Sequence, residues 1–239
     1  MAYVRGNFIP LATPFTDDGR ALSEVRMVRQ VRFWTERDAA GFYLCGETGE
    51  FCAVGPSERK AMLEIILREC ASSVPILVNV SSLSTALSLD LAQHAGRHGA
   101  AAAFITPPYF GRFTPKEIIN HLRAVVGLAG IPVVIGDPFG AMKEGFGDAF
   151  DTMPKVEFAK GSSFDEWETE DASVHAIRVL AEFFPDSPHA TLGAAYLTHG
   201  PAALVKAAFE HQGIELGTPR SPKAPLDGRE LSELLQLAA

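Results

Sequence analysis

Six short apolar runs at near-regular intervals constrain the fold of this 239-residue chain more than any other feature. They occupy residues 8–12, 41–45, 76–80, 102–106, 132–136 and 156–159. Continuous apolar runs without alternation are typical of short strands that are covered on both faces. Successive runs begin 24–35 residues apart, and one strand-helix unit takes about 30 residues. The spacing therefore predicts a repeated strand-helix architecture.

Amphipathic helices are predicted between the runs. The clearest start is Thr114-Pro115 followed by Glu117, because threonine can cap, proline suits the first turn and glutamate can complete a capping box. Strands that alternate with helices imply a parallel sheet with right-handed crossovers. Such a repeat closes as an eight-stranded barrel or opens as a doubly wound sheet. In both folds the chemistry lies at the carboxyl ends of the strands.

The C-terminal third of the chain has a different pattern. Residues 171–184 and 201–211 are predicted to be helical, Gly213 is predicted to stop the second of these helices, and Asp227 is predicted to cap a last one. No clear seventh or eighth strand is predicted. We expect one structural domain, with a barrel portion over residues 1–170 and a helical portion over residues 171–239.

Charge and cysteine content narrow the function classes. The net charge is −8 and no basic stripe is present, which argues against a nucleic-acid partner. No apolar run reaches the roughly 18–20 residues that span a bilayer, and the N-terminal segment does not resemble a signal peptide. Cys45, Cys52 and Cys70 have no zinc-ligand spacing. We expect buried, reduced cysteines in a cytoplasmic protein without a membrane partner.

The second run is followed by Gly46-Glu47-Thr48-Gly49-Glu50. Glycines on both sides of a hydroxyl residue allow backbone amides to point at a small anion such as a carboxylate, and Thr48 can add its hydroxyl. A tight strand-to-helix turn that needs glycine for a positive φ is the other interpretation. The turn is neither a Walker loop nor a dinucleotide fingerprint.

Lys160 and Tyr109 are candidate reactive side chains at other strand ends. Lys160 ends the sixth run, where desolvation lowers the pKa of a lysine and yields the neutral amine that a Schiff base requires. A strand-end lysine that extends into water is the alternative. Tyr109 follows the fourth run and is either a proton relay or a structural residue.

His94 and His98 are four residues apart, a spacing that can hold a metal on one helix face. No carboxylate motif accompanies them in the sequence, so a solvated helix face is the favoured interpretation. We predict no metal site and no cofactor.

Five motifs in order carry a family resemblance. They are TPFTDDG at residues 13–19, GETGE at 46–50, PPYF at 107–110, KVEFAKGSSFD at 155–165, and ALVKAA at 203–208 with the later Pro225-Leu226. In this order the chain resembles the class I pyruvate-dependent aldolases of the dihydrodipicolinate synthase and N-acetylneuraminate lyase family. The resemblance implies a TIM-type (β/α)8 barrel with C-terminal helices and a homo-oligomer, a dimer or a tetramer.

The resemblance also assigns roles to residues. Lys160 would be the Schiff-base lysine of a lyase or aldolase that works without a cofactor. Gly46, Thr48 and Gly49 would hold the carboxylate of pyruvate or another 2-oxo acid, and Tyr109 would occupy the second tyrosine position of the family. Lys143 is a rival for Lys160, but it follows the fifth run too closely for a helix to intervene.

Three departures from the family pattern bear on activity. Ile135 stands where the family has a proton-transferring tyrosine, and Glu47 replaces a hydroxyl residue. We hypothesise that Glu47, if partly desolvated, has a raised pKa and acts as the acid/base. The chain is also short between Lys160 and Lys206, where the seventh and eighth strands would lie.

Three alternatives stay open from the sequence. One is a non-catalytic family member that binds a small carboxylate. Another is a keto-deoxy-sugar-acid dehydratase, which Gly49-Glu50-Phe51 suggests. The third is an unrelated doubly wound α/β binding protein.

Overall fold

The computed structural model describes residues 8–70, 74–136, 156–158, 195 and 198–236. Its strands are β1 (Phe8–Pro10), β2 (Gly41–Leu44), β3 (Ile76–Asn79), β4 (Ala102–Ile105), β5 (Val133–Ile135) and β6 (Val156–Phe158). Its helices are α1 (Glu24–Thr35), α2 (Pro56–Cys70), α3 (Thr85–His98), α4 (Pro115–Leu128), α5 (Pro201–His211) and α6 (Gly228–Gln236), and a 3-10 turn covers Phe51–Ala53. All six predicted strands are therefore present.

The six strands form one parallel sheet in the order of the sequence. A doubly wound sheet reverses its strand order at a switch point so that helices cover both faces. Here the order β1 to β6 has no reversal, so right-handed crossovers would place the intervening helices on one face. The other face is then buried only if the sheet curves on itself. The topology is therefore that of a barrel.

Strand residues are mostly buried, and neighbours along a strand join two different buried clusters, as this topology requires. Phe8, Leu77, Ala102 and Val134 form a small buried cluster, with Tyr43 and Phe104 packed against it. Their neighbours in the strands belong to the large core, which also contains side chains of the helices; examples are Phe42, Ile76, Ala103 and Val133. Because strand side chains point alternately to opposite faces, the small cluster is the inner face of the barrel wall. The prediction of strands covered on both faces is confirmed for β1 to β5.

Strands β1 to β5 each end one or two residues before their predicted ends. In β2 the reason is Cys45, whose φ of 57° is left-handed and cannot continue a strand. In β3 the side chain of Asn79 accepts a hydrogen bond from the Ser81 amide at 2.9 Å and turns the chain. The residues just beyond the strands thus form the turns at the carboxyl edge of the sheet.

The predicted helix starts and stops are present in the described chain. Thr114 and Glu117 form the reciprocal capping box of α4. Gly213, with a φ of 75°, follows the end of α5, and Asp227 Oδ1 accepts hydrogen bonds from the amides of Arg229 and Glu230 at 2.8 Å. The predicted helix over 171–184, the boundary at residue 170 and the stretch expected to hold further strands lie outside the described residues.

The C-terminal segment packs back onto the first helix. The Phe209 ring of α5 lies 5.1 Å from the Phe33 ring and 5.8 Å from the Trp34 ring, both edge-on, and Phe209 is fully buried. Aromatic contacts of this geometry add to the free energy gained from burial. Helix α5 is thereby held against α1, on the outside of the sheet.

All three cysteines are free thiols, as predicted, but they differ in burial. Cys45 and Cys70 are buried, whereas Cys52 is exposed on the 3-10 turn. The prediction that all three are buried was therefore wrong for Cys52, which lies in the exposed turn that follows β2. Among the described helices, none combines the length and the apolar content that a membrane span requires.

Candidate functional site

The glycine-flanked turn at residues 46–50 leads from β2 into the 3-10 turn. Gly46, Thr48 and Gly49 are buried, whereas Glu47 is exposed. The turn is closed by hydrogen bonds from the Glu50 amide to the Glu47 carbonyl at 3.0 Å and from the Phe51 amide to the Gly46 carbonyl at 3.3 Å. Within the described chain the Thr48 and Gly49 amides donate to no acceptor, so the turn keeps donors for a small anion.

Both glycines are required by close packing. A Cβ on Gly46 would lie 2.5 Å from the Tyr43 ring, and one on Gly49 would lie 3.1 Å from the Leu11 carbonyl oxygen and from backbone atoms of Cys45. Neither glycine has a positive φ; the left-handed residues here are Cys45 and Glu50. The interpretation that this turn needs glycine for a positive φ was therefore wrong. The turn needs glycine because a Cβ at either position would be too close to neighbouring atoms.

Three polar side chains from other elements fix the turn. Thr13, just after β1, donates from Oγ1 to the Gly49 carbonyl at 2.6 Å. Asn79 donates from Nδ2 to the Cys45 carbonyl at 2.8 Å, and Arg59 of α2 donates to the Phe51 carbonyl at 2.7 Å. Each donor is at least nine-tenths buried. Because buried backbone carbonyls need partners, these bonds hold the turn in one conformation.

Glu50 ends the turn in a left-handed conformation, with a φ of 54°. Its side chain is fully buried and directed towards the C-terminal segment, where Oε1 lies 2.7 Å from Lys206 Nζ. Oε2 accepts a hydrogen bond from the Arg220 amide at 2.7 Å. A buried carboxylate requires such compensation. Lys206 and Arg220 of the C-terminal segment therefore stabilise Glu50, the last residue of the turn.

Among the lysines that the structure describes, Lys206 is the buried one, with 4% of its surface exposed. Its Nζ donates to the Thr218 carbonyl at 3.0 Å and lies 4.5 Å from the centre of the Phe15 ring. Burial lowers the pKa of Lys206 from its ordinary value, and the Glu50 carboxylate opposes that shift. An ammonium that is held by a carboxylate and a carbonyl is not an available nucleophile. Lys206 is therefore a structural cation.

Arg220 completes this support. Its guanidinium makes a two-pronged contact with the Glu58 carboxylate at 2.8 and 2.9 Å and donates to the carbonyls of Gly19 and Ala53 at 2.9 Å. The hydrogen bonds from Arg220 lower the pKa of Glu58. Arg220 thus ties the C-terminal segment to the loops that follow β1 and β2.

Of the other predicted site residues, Tyr109 lies beside this region. Its ring is 5.4 Å from the Phe51 ring in an edge-on contact, and 40% of the residue is exposed. Burial of the remainder raises the pKa of the Tyr109 phenol. Lys160 and its rival Lys143 lie outside the described residues.

The fifth strand ends differently from the sequence-based expectation. Ile135 packs in the large core with the helices, so its side chain does not face the barrel interior. The next residue, Gly136, is the one beside the inner face: a Cβ there would lie 2.1 Å from the Phe104 ring. The assignment of Ile135 to the site position was a one-residue error, and Phe104 fills the space at Gly136.

Sequence reasoning overlooked Tyr43. Its ring lies 5.4 Å from Phe104 on the inner face and directly below Gly46. Burial raises the pKa of the Tyr43 phenol well above its usual range, so the hydroxyl stays protonated at neutral pH. The period of two along β2 could have found it, because Phe42 and Leu44 face the large core and Tyr43 faces the interior.

Comparisons with known proteins agree with the barrel topology. The sequence model of the dihydrodipicolinate synthetase family matches residues 3–137, which is more than half of the chain. A 4-hydroxy-tetrahydrodipicolinate synthase of Methanothrix thermoacetophila is 34% identical over 131 residues, covering 55% of this chain and 43% of the relative. An N-acetylneuraminate lyase of Escherichia fergusonii is 35% identical over 133 residues, covering 55% and 44%.

The chain matches less than half the length of these curated relatives. Solved structures extend the likeness of the fold along the chain. A prophage protein of the dihydrodipicolinic acid synthase family from Escherichia coli K12, solved in complex with pyruvate, superposes with a TM-score of 0.77. It shares 19% identity, and the superposition covers 96% of this chain and 97% of that one.

Proposed function

We propose, from the premise that this chain belongs to the dihydrodipicolinate synthetase family, that it is a lyase or aldolase acting on pyruvate or another 2-oxo acid. The observation that carries the proposal is the turn at residues 46–50, which lies within the matched region and keeps two buried amides and a buried threonine at a strand end. Amides and a hydroxyl in this arrangement suit a carboxylate.

In the proposed reaction, Lys160 is the nucleophile. Its neutral amine adds to the ketone carbon of the 2-oxo acid, and loss of water gives an imine whose protonated form is an electron sink. The pair of electrons left by cleavage of a C–C bond, or by removal of a methyl proton from pyruvate, is held as an enamine. Thr48 and the amides of Thr48 and Gly49 hold the carboxylate and orient the ketone.

Reductive trapping tests whether the protein forms this imine. The full chain is incubated with pyruvate and borohydride, and its intact mass is measured. We expect the mass increment of one reduced pyruvyl group per chain, absent in Lys160→Ala and retained in Lys143→Ala. No adduct with any of several 2-oxo acids would overturn the lyase proposal and favour a non-catalytic family member that binds a carboxylate.

Glu47 is proposed as the proton donor and acceptor. The described residues leave Glu47 exposed, so they do not provide the partial desolvation that the sequence-based hypothesis assumed. We expect Glu47→Gln to slow exchange of the pyruvate methyl hydrogens with D2O about 100-fold or more, as followed by NMR, because an amide cannot carry the proton. Trapping of the imine should persist.

Tyr43→Phe is the matched comparison for Glu47→Gln. Tyr43 is partly buried with its ring against Gly46, and burial raises the pKa of its phenol. Phenylalanine preserves the ring packing against Phe104. Exchange at the normal rate in Tyr43→Phe is expected if Glu47 carries the proton. Normal exchange in Glu47→Gln together with slow exchange in Tyr43→Phe would transfer the role to Tyr43.

The structure adds no support for the dehydratase alternative, which was suggested by the tripeptide Gly49-Glu50-Phe51. Glu50 is engaged by Lys206 and Arg220, and Phe51 packs on Tyr109, so both residues have packing roles.

We further propose a cytoplasmic homo-oligomer, a dimer or a tetramer. Tyr109, Phe110 and Phe113 expose 40%, 77% and 39% of their surface, and exposed aromatic groups of this kind are typical of interfaces.

A further inference from the structure

Helices α2 and α3 bring two histidines and a glutamate together on the outside of the fold, away from the turn at residues 46–50. Glu64 Oε1 lies 2.8 Å from His94 Nε2 and 3.8 Å from His98 Nε2. One ligand atom from each residue falls within 4.8 Å of the other two. Only the two histidines are recognisable from helical spacing in the sequence, because Glu64 comes from the neighbouring helix.

We infer that Glu64, His94 and His98 form a zinc site that links α2 to α3. Two imidazoles and one carboxylate are a donor set that binds Zn²⁺ with a fourth position left for water. Tetrahedral ligands about 2.0–2.1 Å from zinc are about 3.3 Å apart. The two separations from Glu64 Oε1, 2.8 and 3.8 Å, lie on either side of that value.

The ring of His98 is already oriented for a metal. Its Nδ1 lies 2.9 Å from the His94 carbonyl oxygen, and because a carbonyl only accepts, Nδ1 carries the hydrogen. In the neutral ring the lone pair is then on Nε2, the atom that faces Glu64. A metal-binding histidine commonly donates its other ring N–H to a backbone carbonyl in this way.

His94 is buried, with 7% of its surface exposed, and its ring lies 4.0 Å from the His98 ring, centre to centre. In the hydrogen bond to Glu64, Nε2 of His94 carries the proton. Zinc takes the place of that proton, and the neutral ring then carries its hydrogen on Nδ1. Only the tautomer changes at His94, and its ring stays where packing has placed it.

The two helices are held in register one turn away from the site. Lys60, four residues before Glu64, forms an ion pair at 2.6 Å with Asp90, four residues before His94. Residues four apart lie above one another on a helix, so this ion pair and the proposed site form two successive links between α2 and α3. The distance between the helices at the site is therefore set before any metal binds.

The inference is tested with the untagged, EDTA-treated full chain and zinc sulfate as the probe, by calorimetric titration. We expect one Zn²⁺ per chain, and a rise of about 3–6 °C in melting temperature at a zinc concentration tenfold above Kd. His98→Ala should lose this binding, and Glu64→Gln should weaken it at least tenfold. His211→Ala, which removes an exposed histidine at the end of α5, should bind as the parent does.

Cobalt(II) gives an independent spectroscopic readout. Bound at this site it should show visible d–d bands of a low-coordinate ion without a near-ultraviolet thiolate band. Absence of stoichiometric zinc binding would overturn the inference. So would equal binding by the parent and His98→Ala, or a thiolate band, which would assign the metal to the exposed Cys52. None of these outcomes bears on imine formation at Lys160.

Discussion

Replacing Lys206 with methionine is expected to destabilise the protein by about 3–5 kcal/mol. The change removes the cation that lies 2.7 Å from Glu50. Among the described residues, the fully buried carboxylate then keeps the Arg220 amide as its remaining partner. The loss of a buried charge partner costs far more than the loss of an exposed ion pair. Urea unfolding followed by circular dichroism measures this difference in the free energy of unfolding.

The double variant Glu50→Gln/Lys206→Met separates charge from packing. It removes both charges and should recover a large part of the lost stability, because an apolar or neutral pair avoids the cost of burying ions. Exposed ion pairs provide the control: Arg229→Met breaks the contact with Glu233 on α6 and should change stability by less than about 1 kcal/mol. A Lys206→Met variant as stable as the parent would contradict the structural role of Lys206.

Replacing Lys160 with arginine is expected to reduce exchange of the pyruvate methyl hydrogens with D2O by about 1,000-fold or more. Arginine keeps the positive charge but stays protonated at all accessible pH values, so it offers no amine to the ketone. The measurement is the rate of loss of the methyl signal in proton NMR at saturating pyruvate. Lys143→Arg is the matched control and should exchange at the parental rate.

Exchange by Lys160→Arg at a rate close to that of the parent would contradict the assignment of the nucleophile. Thermal unfolding of both variants must accompany the assay, because a loss of activity through unfolding would move the melting temperature as well. A catalytic loss with an unchanged melting temperature is the expected result for Lys160→Arg.

The repeat of strands and helices was predictable because local sequence patterns determine it. Apolar runs mark strands such as β3 and β4, and the capping residues around Thr114 mark the start of α4. What the runs could not reveal was the last residue of each strand. That depends on φ at Cys45 and on the side-chain bonds of Asn79, which are properties of the folded turns.

The ion pair that stabilises the candidate site, between Glu50 and Lys206, was not predictable from the spacing of residues in the sequence. Glu50 and Lys206 are far apart in the sequence, and no local pattern indicates that the two charges meet. The turn itself was found, since glycines around Thr48 form a local signal, but its glycines serve close packing against Tyr43 and Leu11. Contacts of this kind are set by the fold.

The assignment at the end of β5 shows how a one-residue error arises. Matching Pro138 to the family motif placed Ile135 at the tyrosine position, whereas alternation along the strand puts Ile135 in the large core and Gly136 beside Phe104. A shift of one residue moves a strand side chain to the opposite face. The period of two along the strand was the better guide than the motif.

In the proposed reaction a single lysine, Lys160, forms the imine. The most direct test is to digest the protein after reduction with borohydride in the presence of pyruvate and to locate the reduced pyruvyl group by peptide mass spectrometry. We expect modification of Lys160 alone, with Lys143 and Lys206 unmodified. A pyruvyl group on Lys206 or Lys143, with Lys160 unmodified, would contradict it.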